Sequence, residues 1–271
     1  MSAKEIYLFV FEGKEDDPRY VELLEKNFFS NIISVKCVYG AEIYQLYREM
    51  KDDDFALDIV NILKERSPQN AEILKDFNRE SFASKYLFFD YDAHSTLAND
   101  HDIQAMISFF NNETEQGLLY ISYPMLEAIR HFKDMQTFKD LSVKCKRGKT
   151  IEASKCPNKY NCHRIDACLK EKHYKKIARA ECRRSLNRVN DAGYPLAVWK
   201  ELIKAHLFKA NYLTRDTFCM PSTPIPQDEI FKCQLMKFIS QECPLVSVIS
   251  ALPLFVLDYY GVEYLNDKLN I

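Results

Sequence analysis

"KYLFFDYDAHS", residues 85–95, decides how the rest of the chain is read. The run Tyr86-Leu87-Phe88-Phe89 is apolar, aromatic and short, which predicts a buried strand. Asp90 and Asp92 then stand one residue apart where that strand would be ending. Two carboxylates at the mouth of a sheet repel each other, so a positive charge is expected to compensate them.

Working towards the N-terminus, "EIYLFVFEG" (5–13) is a second apolar run closed by a glycine, and "DPRYVELLEKNFF" (17–29) follows with the 3.6-residue period of an amphipathic helix. "NIISVKCVYG" (31–40) predicts another strand, and "AEIYQLYREM" and "FALDIVNILKER" predict helices. Towards the C-terminus, "HDIQAMISFFNNE" predicts a helix and "QGLLYISYP" a short strand. Strands alternating with helices favour an α/β fold with a mostly parallel sheet flanked by helices, and such sheets gather ligands at the carboxyl ends of their strands. Glu12, the Asp90/Asp92 pair, Ser122 and Glu127 all follow strand ends in this reading. Hard carboxylate oxygens without a nearby pair of histidines suit Mg²⁺ or Mn²⁺ rather than zinc. Gly13 would let backbone approach a phosphate, and Asp16 would return to the same edge through the first helical turn.

From residue 125 onward the chain reads as mainly helical, with linkers near 141–161 and at "MPSTPIPQ" (220–227), where three prolines oppose regular structure. The expected organisation is an α/β core over 1–140 and a largely helical insertion and C-terminal region over 141–271. The 271 residues carry 37 basic and 39 acidic side chains, a net charge of −2, so no global basic footprint marks the chain as a polyanion binder. Any such partner needs a local patch or a metal. Nine cysteines without a charged-apolar-small leader predict a reducing cytoplasm. The apolar stretch 244–261 is interrupted by Ser247, Ser250, Pro253 and Asp258, which predicts a buried, proline-kinked helix and no membrane partner. "GKT" at 148–150 is no phosphate-binding loop, because Val143 stands where that pattern requires glycine.

Two further clusters lie in the second half. "CPNKYNCHRIDACLKEKH" holds Cys156, Cys162, His163 and Cys168, which could close a structural Zn²⁺ site. No Cys-x-x-Cys is present, however, so plain thiols remain the competing reading. Its flanks concentrate positive charge: Lys146, Arg147 and Lys149 on one side, and Lys172, Lys175, Lys176, Arg179, Arg183 and Arg184 on the other. Helical spacing in the second group predicts a phosphate-binding face, against the plainer reading of a solvated helix. Asp90 and Asp92 as turn residues, and Glu127 as an early helix residue after Pro124, are the corresponding plain readings of the acids.

The segment "FVFEGKEDDPRYVELL" followed by "LFFDYDAHS" resembles the TOPRIM signature, a strand ending in Glu-Gly and a later strand ending in Asp-x-Asp. "YISYPMLEAIRHF" (120–132) is similar to the Ser-x-Pro-x-x-Glu segment of RloB-like proteins, a TOPRIM group associated with bacterial defence loci, and the matches together cover about half the chain. The resemblance implies a Mg²⁺-dependent nuclease acting on DNA or RNA as an anti-phage effector. It implies Glu12 as general acid/base or metal-organising carboxylate, Asp90 and Asp92 as metal ligands, and Asp16 and Glu127 as further acids of OLD-family type. Lys204 and Lys209 are both open as the assisting lysine. An ATPase partner, where one is used, would be a separate chain. The alternative is a non-catalytic nucleic-acid-binding or regulatory TOPRIM subunit.

Overall fold

A computed structural model describes residues 5–13, 16–29, 32–93, 95–144, 174–186, 194–241 and 244–269. The chain packs as two compact units, Met1–Asp90 with Asn99–Tyr120, and Tyr91–Ala98 with Ile121–Ile271. By packing, the divisions between the two units fall at 90/91, 98/99 and 120/121.

The first unit is α/β. Strands β1 (Ile6–Phe11), β2 (Ile33–Val38), β3 (Ser84–Asp90), β4 (Asn111–Asn112) and β5 (Gly117–Ser122) form one sheet in the order β2-β1-β3-β5-β4. The central strand β1 runs parallel to both neighbours, pairing Val10 with Cys37 and Leu87, while the edge strand β4 is antiparallel to β5. Helices α1 (Asp16–Phe28), α2 (Ile43–Asp52), α3 (Ile59–Arg66), α4 (Pro68–Ile73) and α5 (Asp100–Phe109) supply the connections. A sheet covered on both faces explains why β3 reads as an unbroken apolar run rather than an alternating one. Tyr86 and Phe88 stack with Phe9 and Tyr120 on one face, and Phe89 meets Tyr39 on the other.

Local chemistry sets several boundaries. Asp58 caps α3 by accepting from the N–H groups of Val60 and Asn61, and Ser67 caps α4 ahead of Pro68 at its first turn. The short α4 is absent from the periodicity reading, since six residues are too few to show a period. The predicted helix over 101–113 ends at Phe109, and Asn111 and Asn112 turn back as β4.

In the second unit, β6 (Ser142–Lys144) and β7 (Leu245–Ser247) make an antiparallel pair. The helices are α6 (Met135–Lys139), α7 (Tyr174–Glu181), α8 (Leu196–Arg215), α9 (Gln227–Gln234), α10 (Ala251–Tyr260) and α11 (Val262–Leu269). The twenty-residue α8 is the axis of this unit and packs against α6, α9, α10 and α11. Its buried stripe runs Trp199, Leu202, Ile203, His206, Lys209, Ala210, Leu213, which is one face of a 3.6-period helix. Two expectations are corrected here. The stretch 244–261 is not one kinked helix: Leu245–Ser247 is extended and Pro253 falls in the first turn of α10, where its missing N–H costs nothing. The segment after Pro124 is a 3-10 turn, Leu126–Arg130, followed separately by α6. No described helix is long and apolar enough to cross a membrane.

Candidate functional site at the strand ends

In the first unit, β1 and β3 are parallel neighbours, so the residues that close them emerge at the same end of the sheet. Glu12 follows β1 directly. Its N–H donates to the Phe88 carbonyl at 3.1 Å, and its own carbonyl accepts from the Gly40 N–H at 3.0 Å, so its backbone continues the ladder on both sides. Its side chain is half-buried, and Oε2 accepts the backbone N–H of Asp90 at 3.0 Å. The two acids are thereby locked together across adjacent strands although far apart in sequence. Asp90 is the half-buried last residue of β3. Asp16 opens α1.

Asp92 and Glu127 belong to the second unit. Asp92 is buried, 7% exposed, and holds a left-handed backbone at φ 42°. Aspartate tolerates that region better than most residues, but the conformation still costs free energy and persists only where surroundings impose it. The Tyr91 N–H donates to the Ser122 carbonyl at 3.0 Å and the Asp92 N–H to the Pro124 carbonyl at 3.3 Å, so Asp92 is set against the segment that leads to Glu127. Ser122 is buried, and its Oγ accepts from the Ala251 N–H at 3.2 Å.

Glu127 is 2% exposed on the 3-10 turn. Among the described residues neither carboxylate oxygen accepts a hydrogen bond. Lys175 Nζ stands 3.0 Å from Oε1, a charge contact whose angle is not that of a hydrogen bond. The structure therefore pairs Glu127, a metal acid in the TOPRIM resemblance, with Lys175, read from sequence as part of a phosphate-binding face. Nothing in the linear sequence pairs them.

The two candidate lysines on α8 differ sharply. Lys209 is 1% exposed, and its ammonium donates to the carbonyls of Phe138 (2.9 Å) and Leu141 at the end of α6, over the Phe138 ring. Lys204 is half-buried beside the Phe208 ring. On α7, Lys175, Lys176 and Arg179 are exposed. Lys146, Arg147, Lys149 and Lys172, and the proposed zinc ligands Cys156, Cys162, His163 and Cys168, lie outside the described residues.

Two buried histidines carry no functional expectation from sequence and prove to be bound into the second unit. His206 Nδ1 accepts the Ser250 N–H at 3.0 Å, and burial above all, with the nearby Lys209 charge, drives its pKa down to about 3 against a smaller opposing pull from the Ile129 carbonyl. His131 Nδ1 lies 3.0 Å from the Tyr174 hydroxyl and Nε2 lies 3.3 Å from Glu181 Oε2, so it spans α7 from first residue to last.

Among the described residues, no group of three or more His, Cys, Asp and Glu side chains closes into a metal-binding cluster. The donors present are hard oxygens. Carboxylate oxygens are the donor type that Mg²⁺ takes, one or two of them together with waters and substrate phosphate, but Glu127 as it stands is paired with the Lys175 ammonium. A concavity of about 480 Å³ in the first unit is lined by Glu49, Asp52, Asp53, Leu57, Ile62, Glu65 and Arg66, a mostly acidic lining that repels phosphate. Compared with family models, curated proteins and solved structures, the chain matches none of them.

Proposed function

We propose that the chain is a TOPRIM-type, Mg²⁺-dependent nuclease cleaving DNA or RNA phosphodiesters, an effector of the kind found in bacterial defence systems. The observation that carries this reading is the Asp90 N–H to Glu12 Oε2 bond. It ties the two signature acids together at the carboxyl ends of adjacent parallel strands, where α/β sheets gather ligands. Local order supports it as well: the Glu-Gly strand precedes the Asp-x-Asp strand, and each acid sits at or just beyond its strand.

Bound Mg²⁺ would supply charge neutralisation for the attacking and leaving oxygens of the phosphodiester. Asp90, at the end of β3, would be one of its carboxylate ligands. Glu12, whose backbone bonds to Phe88 and Gly40 and whose Oε2 accepts the Asp90 amide, would hold or pass a proton at Oε1. The exposed cations of α7 would hold the nucleic-acid backbone.

The test is cleavage of labelled DNA and RNA by the purified full chain with Mg²⁺, with Mn²⁺ and with EDTA. Metal-dependent cleavage lost in Asp90→Ala is the expected result. Nucleic-acid binding with no cleavage under any metal would replace this reading by that of a regulatory subunit awaiting a partner ATPase.

A further inference from the structure

We infer that the outer stripe of α8 is a stacking surface for single-stranded nucleic acid, on which Phe208 and Tyr212 take unpaired bases while Lys139 and Lys204 hold the neighbouring phosphates. This rests on the nucleic-acid reading above and narrows its substrate to a single strand.

The stripe is the face of α8 opposite its buried one. Lys200, Glu201, Lys204, Phe208, Tyr212 and Arg215 fall on it at helical spacing, each half-buried. The solvent side of such a helix is ordinarily polar, so two aromatic rings one turn apart in its middle break the pattern. Phe218, just past the end of α8, stands edge to face with both, its ring centroid 5.6 Å from that of Phe208 and 6.1 Å from that of Tyr212. The rings are thereby held as a platform.

The charges point the same way. Lys139 Nζ, from the end of α6, lies 4.3 Å from the Tyr212 ring centroid, and Lys204 Nζ lies 5.3 Å from that of Phe208. The carboxylates around the stripe are engaged elsewhere: Glu201 with Arg183, Glu229 with Arg215, and Asp216 with Lys237. Among the described residues neither Lys139 nor Lys204 is in an ion pair. Uncompensated ammonium groups on aromatic faces are complementary to a polyanion whose units each carry a π-face. Arg183, two residues past α7, bridges to Glu201 at 3.0 and 2.6 Å, so the stripe begins beside the helix that carries the exposed cations Lys176 and Arg179.

A stacked base is worth more than an ammonium over an exposed ring. A base that takes the ring therefore displaces the ammonium, which the adjoining phosphate then receives. Bases inside a duplex are stacked on one another and offer no free face, so only an unpaired strand can use both rings.

The probes are labelled oligo(dT), an abasic oligomer of the same length, oligo(rU) and an oligo(dA)·oligo(dT) duplex, bound to the full chain in EDTA so that no cleavage intervenes. Wild type should bind oligo(dT) or oligo(rU) at least about tenfold more tightly than the abasic oligomer, the tighter of the two naming the sugar. Phe208→Leu/Tyr212→Leu should lose that preference and keep the abasic affinity. Lys139→Gln/Lys204→Gln should keep the preference and lower the slope of log affinity against log salt by about 0.7 for each phosphate contact. Equal affinity of wild type for the base-bearing and abasic oligomers overturns the inference. So does a preference that survives in a folded leucine variant. Should that variant fail to fold, the lysine variant decides, and an unchanged salt slope overturns the inference. Cleavage with Mg²⁺ is scored separately: base-dependent binding without cleavage upholds the stacking surface and removes the nuclease reading, whereas cleavage by a wild type blind to the bases overturns the surface and leaves the nuclease reading standing.

Discussion

In the first unit, β3 buries Tyr86, Leu87, Phe88 and Phe89 and delivers a carboxylate only at its last residue, Asp90; in the second, α8 carries His206 and Lys209 through the middle of its buried stripe. The ionisable groups end differently. Glu12 and Asp90 meet where the sheet stops and the Asp90 amide still needs an acceptor. Lys209 and His206 lie among backbone groups left over by turns: the carbonyls of Phe138 and Leu141 for one, the Ser250 amide for the other. A buried charge in the helical unit is thus explained by unsatisfied backbone before any chemistry is invoked. Backbone satisfaction accounts for Glu12 Oε2 in the same way, since it takes the Asp90 N–H, but not for Glu127, which is buried and among the described residues accepts no hydrogen bond.

The largest effect expected from this contrast is on catalysis. Asp90→Ala and Glu12→Ala should each lower metal-dependent cleavage by more than the roughly 10- to 100-fold that outer-shell changes cost. Circular dichroism and melting temperature should stay close to wild type for the half-buried Asp90→Ala, whereas Glu12→Ala also removes the acceptor of the Asp90 N–H and should cost about 1–2 kcal/mol of stability. Cleavage at wild-type rate by both variants would break the distinction at its stronger end.

The two α8 lysines test the other end. Lys209→Met strands two buried carbonyls and should cost about 2–4 kcal/mol, a drop of roughly 5–12 °C in melting temperature, with cleavage per folded molecule unchanged. Lys204→Met should stay within about 0.5 kcal/mol. If Lys209→Met instead folds normally and cuts nothing, Lys209 is the assisting lysine and its carbonyl bonds are secondary.

His206 supplies a pH signature. In the unfolded chain it binds a proton below about 6.5, whereas in the folded chain burial holds its pKa down to about 3. Between those values the unfolded state carries the extra proton. Stability is therefore fully present above pH 6.5 and falls as the pH is lowered, at up to about 1.4 kcal/mol per pH unit. His206→Gln, which keeps an acceptor for the Ser250 amide, should flatten this slope in urea titrations at pH 7, 6, 5 and 4. An unchanged slope would mean that another group governs the acid limb.

The same contrast governs what was legible in the sequence. Alternation of strands and helices in the first unit, and the acids at its strand ends, could be read because period and strand termination are local properties of "EIYLFVFEG" and "KYLFFDYD". Helix α8 falls in the part of the chain that reads as mainly helical. Glu127 as a buried residue of a 3-10 turn was not, because "PMLEAIRHF" has a helix-like pattern and tertiary contacts override it. The Leu245–Ser247 strand was hidden inside an apolar run that fits a helix equally well, since its partner Ser142–Lys144 lies about a hundred residues earlier. Ion pairs across such separations leave no periodic trace, so the acids could be found but not the lysine that sits on one of them.

The smallest effect concerns the exposed face of α7 and asks whether its charge belongs to the substrate path. A phosphate contact releases counterions, so removing one should lower the slope of log affinity against log salt by about 0.9 for duplex DNA and about 0.7 for a single strand. Lys176→Gln/Arg179→Gln removes two exposed cations of α7 and leaves Lys175 and Glu127 in place. The expected outcome is a slope lower by one such unit for each cation in contact, with little change in Mn²⁺ affinity. Lys51→Gln, an exposed lysine of α2 in the first unit, is the matched control and should leave the slope as it is. Equal slopes for wild type and the α7 variant would make that face a solvated surface and shift the search for the phosphate contacts to the basic residues of 145–173.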